Sequence, residues 1–574
     1  MRTLNLLVIY LCLFFFACKP AVQQESKVII RAARDPESLN PASFSNTVSL
    51  EIINLMYQGL LYTDTEKLTL EPLLIETVPA VAKSDTGTVF YFSIRPEANW
   101  EPNKPITGDD VAFSLKLFRA PLVNNQQLSG RYDFIRDVKV DPTNKKKFRI
   151  ICDPYMPEMD LMVGDYAVLP AYIVDPKGLL KNFSLSELTQ NYDALGNDPK
   201  IKAFADWFNS ERFTRDKNYL KGSGGYELVE WKTGEVVRLK KKHNWWADNL
   251  SADINYIVAR PEEIIYQIIP DNATAVLSLK SKNLDVLSDI PAGQYQQLAA
   301  DESFTAQYNL FTPATYDFTY LGINARLAKF ADARTRQALA HLLETDKIIK
   351  STMSGFATRT VGPITPGNDQ FYNKELKPYH YNLSQATALL QAAGWVKNEN
   401  GWQRDLNGEV VPLTINLNYK AGNTEFENIA LIFQQAAAKL NIPVTVQPLE
   451  GKLLTKNLKS HNFEMFIRSL SGNPFVYNFK PILHSESAAE GGGNYTGFCT
   501  PESDKLIDQI NNTQDLPAKA RLLKRLQQIL HEQSNLIFLY FSTDRLAINK
   551  RFTNLKVSGI KPGYDVSAFE LKAD

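Results

Sequence analysis

Cysteine is scarce in this chain, with four among 574 residues. Cys12 and Cys18 lie in the first eighteen positions, which leaves Cys152 and Cys499, too few for a disulfide framework or a thiolate metal site. Two isolated buried thiols are expected rather than a bridge. Charge of one sign is missing as well. Lysine plus arginine and aspartate plus glutamate number 63 each, so no general field draws the chain toward nucleic acid or anionic lipid. After Phe16 there is no apolar run of the roughly 20 residues that a membrane-spanning helix needs.

Catalytic patterns are missing too. His531-Glu532 does not continue into a zinc motif, because Asn535 stands where the second histidine would be. There is no GxSxG elbow, and Gly222-Ser223-Gly224-Gly225 lacks the lysine of a phosphate-binding loop. That glycine cluster reads as a turn entering a hairpin through positive φ. The six histidines are scattered, each a surface or core residue rather than a ligand. An enzyme is not expected, and neither a metal nor a cofactor is called for.

What is present begins with MRTLNLLVIYLCLFFFAC: one cation at Arg2, an apolar run from Leu6 to Phe16, then Ala17 directly before Cys18. This is the grammar of a secretory signal. A cysteine after a small residue suggests cleavage there with acylation of the thiol, although Phe15 and Phe16 are unusual in such a site. The reading is a signal peptide over 1–17, lipidation at Cys18 and a flexible polar tether over 18–27. The mature chain is then extracytoplasmic, in the periplasm or at the cell surface, held to the membrane only by its lipid.

The remaining length exceeds what one core supports, so at least two lobes are expected. Val28 to Ala33 reads as a strand leading into a Pro/Asn/Ser turn. Phe90, Phe92 and Ile94 alternate with Val89, Tyr91, Ser93 and Arg95 as in a strand with one buried face. Thr107 followed by Asp109 and Asp110 reads as a helix N-cap. Residues 176–221 read as a polar helical insertion, and Lys232, Thr233 and Gly234 as a hairpin turn. Further on, Ala338, Leu339, Leu342, Leu343 and Ile349 mark one helical face begun by Asp332. Helices are also expected at Ser384–Ala393, from Phe426 to Leu440, and at Asp515–Glu532, with Pro517 in the first turn of the last.

Two phrases, YLGINARLAKFADARTRQALAHLLETDKIIK at 320–350 and YHYNLSQATALLQAAGW at 379–395, resemble the large-lobe signature of the family 5 solute-binding proteins, the dipeptide and oligopeptide receptors of bacterial ABC importers. The resemblance implies a mixed α/β fold of periplasmic binding protein-like type II, two lobes with a cleft and a two-strand hinge. On that basis residues 28–314 form lobe I, with an α+β subdomain at 48–175 and the insertion at 176–221. Residues 315–541 form lobe II, and 542–574 return to lobe I. The crossings fall near Phe311–Phe318 and Phe541–Ala547.

The implied activity is capture of a solute between the lobes and its delivery to an ABC permease with its ATPases, by a monomer without nucleic-acid partners. A peptide is the expected cargo, held by backbone bonds like an added strand. The family places its slot between a loop of the first lobe, here Leu39 to Asn46, and one of the second, within Phe463 to Phe479. Candidate slot residues are Asn40, Ser43 and Phe44 in the first, and Tyr316, Tyr320, Arg468, Gly472, Asn473, Tyr477, Asn494 and Tyr495 in the second. Arg359 or Arg468 is a candidate for meeting a carboxylate, and Trp245-Trp246 for walling the cleft.

One departure stands out. Peptide receptors of this family place an aspartate near the ligand's α-amino group, whereas this chain has Ser471, Gly472 and Asn473, with Ser469 at the usual tryptophan. Losing a charge-assisted contact is worth on the order of 2 kcal/mol. That keeps open a receptor for an oligosaccharide, nickel chelate, haem or other non-peptide solute. From a different class, a lipoprotein hydrolase would need a nucleophile or metal cluster that the sequence does not offer.

Overall fold

A computed structural model describes residues 26–572 apart from 45, 66, 126, 127, 129, 252, 253, 473 and 514. The signal stretch, Cys18 and Asn473 lie outside the described residues. Among those described, no helix is long and apolar enough to cross a membrane.

Strand β1 (Lys27–Ala32) buries Val28, Ile30 and Ala32. Residues 33–46 then lead to helix α1 (Thr47–Met56), where the Asn46 side chain accepts from the Ser49 amide. An antiparallel subdomain follows, built from β2 (Ala80–Ser84), β3 (Gly87–Ser93), β4 (Ile135–Val140) and β5 (Lys147–Cys152) in the order β2-β3-β5-β4. Phe90, Phe92 and Ile94 are its buried face, as their alternation requires. Helix α2 (Gly108–Leu117) starts with a capping box between Thr107 and Asp110. Residues 176–221 hold helices at Leu185–Gln190, Tyr192–Leu195, Pro199–Phe208 and Arg212–Arg215, and pack Leu188, Ile201 and Phe204 into the same core.

Hairpin β6 (Tyr226–Lys232) and β7 (Val236–Lys241) turns at Gly234, whose φ is 75°. After β8 (Glu263–Ile268), helix α3 (Asn272–Lys280) and the short β9 (Val286–Leu287), strand β10 (Tyr308–Phe311) runs almost directly into the long β11 (Ala314–Ile323). The second body contains α4 (Ala333–Ala340), α5 (Thr345–Ser351), β12 (Ala357–Arg359), β13 (Ile415–Lys420), α6 (Thr424–Ala438), β14 (Val444–Leu449), β15 (Met465–Ser471), α7 (Leu516–Gln533) and β16 (Leu536–Thr543). The chain then returns through β17 (Leu546–Asn549).

Two large sheets result. The first runs β6-β7-β8-β1-β9-β17-β10, the second β12-β16-β11-β15-β13-β14. Each is covered on both faces by apolar side chains, as parallel strands require. Only two connections join them, β10 to β11 and β16 to β17, and these run side by side. Asp544 donates its amide to the Pro313 carbonyl at 2.9 Å, Thr315 its hydroxyl to Ser542 O at 2.9 Å, and Ala314 pairs with Thr543. A few residues at 312–313 and 544–545 can therefore absorb a rotation while both bodies stay rigid.

Four expectations need correction. The helix read across Asp332–Ile349 is two, α4 and α5, broken at 341–344 so that Leu342 and Leu343 both enter the core; spacings of three and four cannot tell one long helix from two packed on a common core. Gly222, Gly224 and Gly225 do not use positive φ. They are glycines because backbone passes too close: a methyl at 222 or 224 would enter the Leu55–Met56 carbonyls, and one at 225 would sit 2.6 Å from Ala259 Cβ. Trp245 and Trp246 wall no cleft, since both are buried and donate their indole N–H to Ser223 O at 2.7 and 2.9 Å. Cys152 is a buried free thiol, but Cys499 is exposed.

Candidate functional site

The directions of the strands locate the site. In the second body β15 runs antiparallel to β11 with Asp317 opposite Ser471, so the C-terminal end of β15, and of β13 and β14 parallel to its sense, points at the crossover. In the first body Leu287, the last residue of β9, pairs with Ala547 beside the crossover, and β1 and β8 run parallel to β9. The carboxyl ends of the parallel strands of both sheets thus face the junction between them, where open α/β sheets hold ligands. The loop residues 33–44, 288–291, 421–423 and 474–479 follow those strand ends toward that space.

Burial and bonding then sort the sequence candidates. Asn40 is buried, its side-chain oxygen accepting from the Ala42 amide at 2.9 Å, and Ser43 shares a hydroxyl contact with Ser38 at 3.2 Å. Phe44 is half-buried against the first core. These residues form a stiff loop whose groups bond mostly to each other. In the second body Tyr316, Gly472 and Tyr477 come together. The Gly472 amide donates to Tyr316 O at 2.7 Å, and Asn368 Nδ2 donates to the Tyr477 hydroxyl at 2.8 Å. Burial, with nearby Tyr316 adding to it, pushes the Tyr477 phenol up to about 12, so it stays a neutral donor and acceptor.

Arg468, Tyr495 and Tyr320 form a second group on the other face of β15. Arg468 Nη1 donates to the Tyr495 hydroxyl at 3.3 Å, with the guanidinium 5.5 Å from that ring. Tyr320 is 3% exposed and packs within the apolar core, so its ring is structural. Arg359 stands apart, paired to Asp346 at 2.7 Å and donating to Tyr379 O. Asn494 is fully buried and spent on its own loop, donating to His484 O and Phe498 O and accepting from the Phe498 amide.

Sequence reading missed the carboxylates. Asp317 accepts from the Ser471 hydroxyl at 2.5 Å. Two residues along the same face, Thr319 and Ser469 share a 2.6 Å hydroxyl bond, and Glu425, at the start of α6, accepts from the Tyr540 hydroxyl at 2.6 Å and from Thr319 at 3.4 Å. On the first body Lys561 joins Asp289 at 2.6 Å to Asp544 at 2.9 Å. Near them the Glu51 carboxyl is pushed up to about 8 by burial and by Asp289, with Lys561 opposing. The signal for Asp317 was the period-two phrase TYDFTY, which puts it on the face opposite Phe318. Its partner strand could not be read from sequence.

The two bodies also touch through a side-chain hydrogen bond. Asn478, on the loop after β15, donates to Glu158 of the first body and accepts from Asn511 Nδ2 at 3.0 Å. Burial pulls the nearby Lys519 ammonium down, while Asp160 and Glu158 hold it up.

Two α/β bodies linked by a pair of adjacent strands, with strand ends and loops turned toward the space between them, define a solute-capturing receptor of the periplasmic binding protein type II class. The chain belongs to a family within it: residues 69–488 match the family described as bacterial extracellular solute-binding proteins, family 5. It is 25% identical over 558 residues to the oligopeptide-binding protein AppA of Bacillus subtilis, covering 96% of this chain and 92% of the relative. The solved structure of that protein with a nonapeptide matches at a TM-score of 0.66, 21% identity and coverage of 96% and 100%. The dipeptide-binding protein of Escherichia coli is 23% identical over 545 residues, 91% of each chain. NikZ from Campylobacter jejuni, solved with Ni(L-His), shares the fold at a TM-score of 0.65, 20% identity and coverage of 95% and 99%.

Proposed function

We propose that this chain is the extracytoplasmic receptor of an ABC importer and that its cargo is a short peptide. The observation that carries this reading is the paired crossover, which leaves two rigid bodies free to close over a guest while keeping both in register. Ligand bridging the bodies stabilises the closed form by its affinity difference between the two states, and that difference drives closure. The closed receptor then docks on a permease powered by cytoplasmic ATPases. It passes its solute on unaltered, as a monomer held by lipid at Cys18. We assign 28–314 together with 542–574 to lobe I and 315–541 to lobe II, with the slot bordered by the loop at 39–46 and by Tyr316, Gly472 and Tyr477.

Incubating the purified mature protein with a mixed peptide library and identifying by mass spectrometry what co-elutes tests the cargo. Recovery of peptides is expected. Recovery of sugars or metal alone would reverse the cargo assignment, and turnover of any substrate would overturn the class. A second reading, a non-peptide solute such as a metal chelate, is favoured by one observation: residues 469–472 carry no carboxylate, and NikZ has the same fold with a nickel complex bound.

A further inference from the structure

The loop at 33–44, which leads from β1 toward α1, fixes its own shape. Ser38 and Ser43 share a hydroxyl contact, Ser38 Oγ accepts from the Asn40 amide at 3.1 Å, and the Asn40 side chain accepts from the Ala42 amide. Bonds between such near neighbours do not decide where the loop stands against the rest of its body. Buried Leu39 and Ala42 tether it to the first core, and polar groups far along the chain fix its place. The Leu39 amide donates to Thr214 O at 2.8 Å, in the last helix of the insertion at 176–221. At the start of the loop the Asp35 carboxylate accepts from Trp231 Nε1 on β6 at 2.7 Å and from the Gly234 amide at the hairpin turn, donors nearly two hundred positions away. Asn46 Nδ2 donates to Asp35 O at 3.3 Å and ties the segment beyond the loop to its start. The insertion backs this anchor as well. The Arg215 guanidinium lies 4.7 Å from the centre of the Trp231 ring and donates to Thr233 Oγ1 at 3.1 Å.

A wall that already stands in place costs nothing to order when a solute arrives, whereas a wall that must first be placed takes that cost out of the affinity. Each oxygen of Asp35 holds one neutral donor, an indole N–H or a backbone amide, which suits an anchor. Resting on the reading above, in which this loop borders the slot, we infer that Asp35 is a positioning residue for solute capture. It holds the first-lobe wall in place through Trp231 and the hairpin turn, and the insertion at 176–221 acts as the brace behind it. No contact between Asp35 and the solute is called for. Loss of the brace therefore weakens every solute by a similar factor and leaves the order of preference among them unchanged.

The test uses the full mature chain and a synthetic pool of random tri- to pentapeptides, read by calorimetry, native mass spectrometry and hydrogen exchange. D35A is expected to raise amide exchange at residues 36–44 in the free protein and to lose that excess once the pool is added. It should bind the pool about ten-fold more weakly, with the same peptides ranked first. W231F keeps a ring under Arg215 but removes the indole donor, and should move exchange and affinity the same way, by about three-fold. The double variant should be no weaker than D35A, since both substitutions break one anchor. Thermal melting shows whether each variant is folded, and W231F carries the test should D35A fail to fold. A role in stability alone would lower the melting temperature and leave the affinity of the folded protein where it was, which overturns the inference. Unchanged exchange at 36–44, or a changed ranking of peptides, overturns it too. In each of those cases wild type still binds the pool, and the peptide reading stands. Wild type that binds no peptide sinks the peptide reading and this inference with it.

Discussion

At the scale of single residues, two positions show how local chemistry is set by neighbours remote in sequence. Gly222 is a glycine because the end of α1 passes over it, a close approach that no side chain can share. Gly222→Ala is therefore expected to destabilise the protein by about 2–4 kcal/mol through overpacking against backbone, measured as a lower urea midpoint. Glu51 is the opposite case, an acid tolerated because it stays protonated. Its carboxyl titrates at about 8 in the fold against an ordinary 4.5, so the folded state holds a proton that the unfolded chain releases. The stability it contributes is fully present below pH 4.5 and is lost as pH rises through 8. Glu51→Gln should flatten the fall in melting temperature between pH 5 and 8 and raise stability at the upper end by on the order of 1–3 kcal/mol. An unchanged slope would show that Glu51 is ionised.

At the scale of elements, the second body is tied together by one buried cation. Arg336, 2% exposed on α4, donates to Phe330 O and Ala331 O at 2.7 and 2.8 Å and to Gln533 O at the end of α7 at 2.7 Å. Burial lowers its guanidinium to about 10, and it serves here as a fixed set of donors. Arg336→Met keeps the volume but leaves those carbonyls without donors, at an expected cost of about 2–4 kcal/mol by chemical denaturation. The arginine is plain in the phrase ADARTRQAL, but which carbonyls it would meet is not, because Gln533 is nearly two hundred positions away. Caps fared differently. Thr107, Asp332 and Asp515 begin helices as their sequence context announces, because a cap bonds within three residues of itself.

At the scale of the whole molecule, the proposed function calls for an equilibrium between open and closed forms, and the Asn478 contact between the two bodies would bias it toward the closed form. Asn478 is held by Asn511 and reaches Glu158 across the gap. Asn478→Ala removes that bridge without touching the hinge. The expected outcome is a larger ligand-free radius of gyration in small-angle scattering and about 2–10-fold weaker solute binding, with the ligand-bound radius unchanged. A bound form that stays expanded would mean that Asn478 takes part in closure itself.

The residues by themselves determined the class of fold, the positions of most strands and helices, and the two crossings, because each depends on periodicity, caps or turns that act over a few positions. Tyr316, Gly472 and Tyr477 lie in segments that end at the junction, and the structure brings them near one another. Only the tertiary structure decided which side chains share a surface. It sent Tyr320, Asn494 and the tryptophan pair into the interior, paired Arg359 away, and set Asp317 opposite Ser471. Strand register is a property of two distant segments at once, fixed by which apolar face must be buried, and no stretch of sequence read alone contains it.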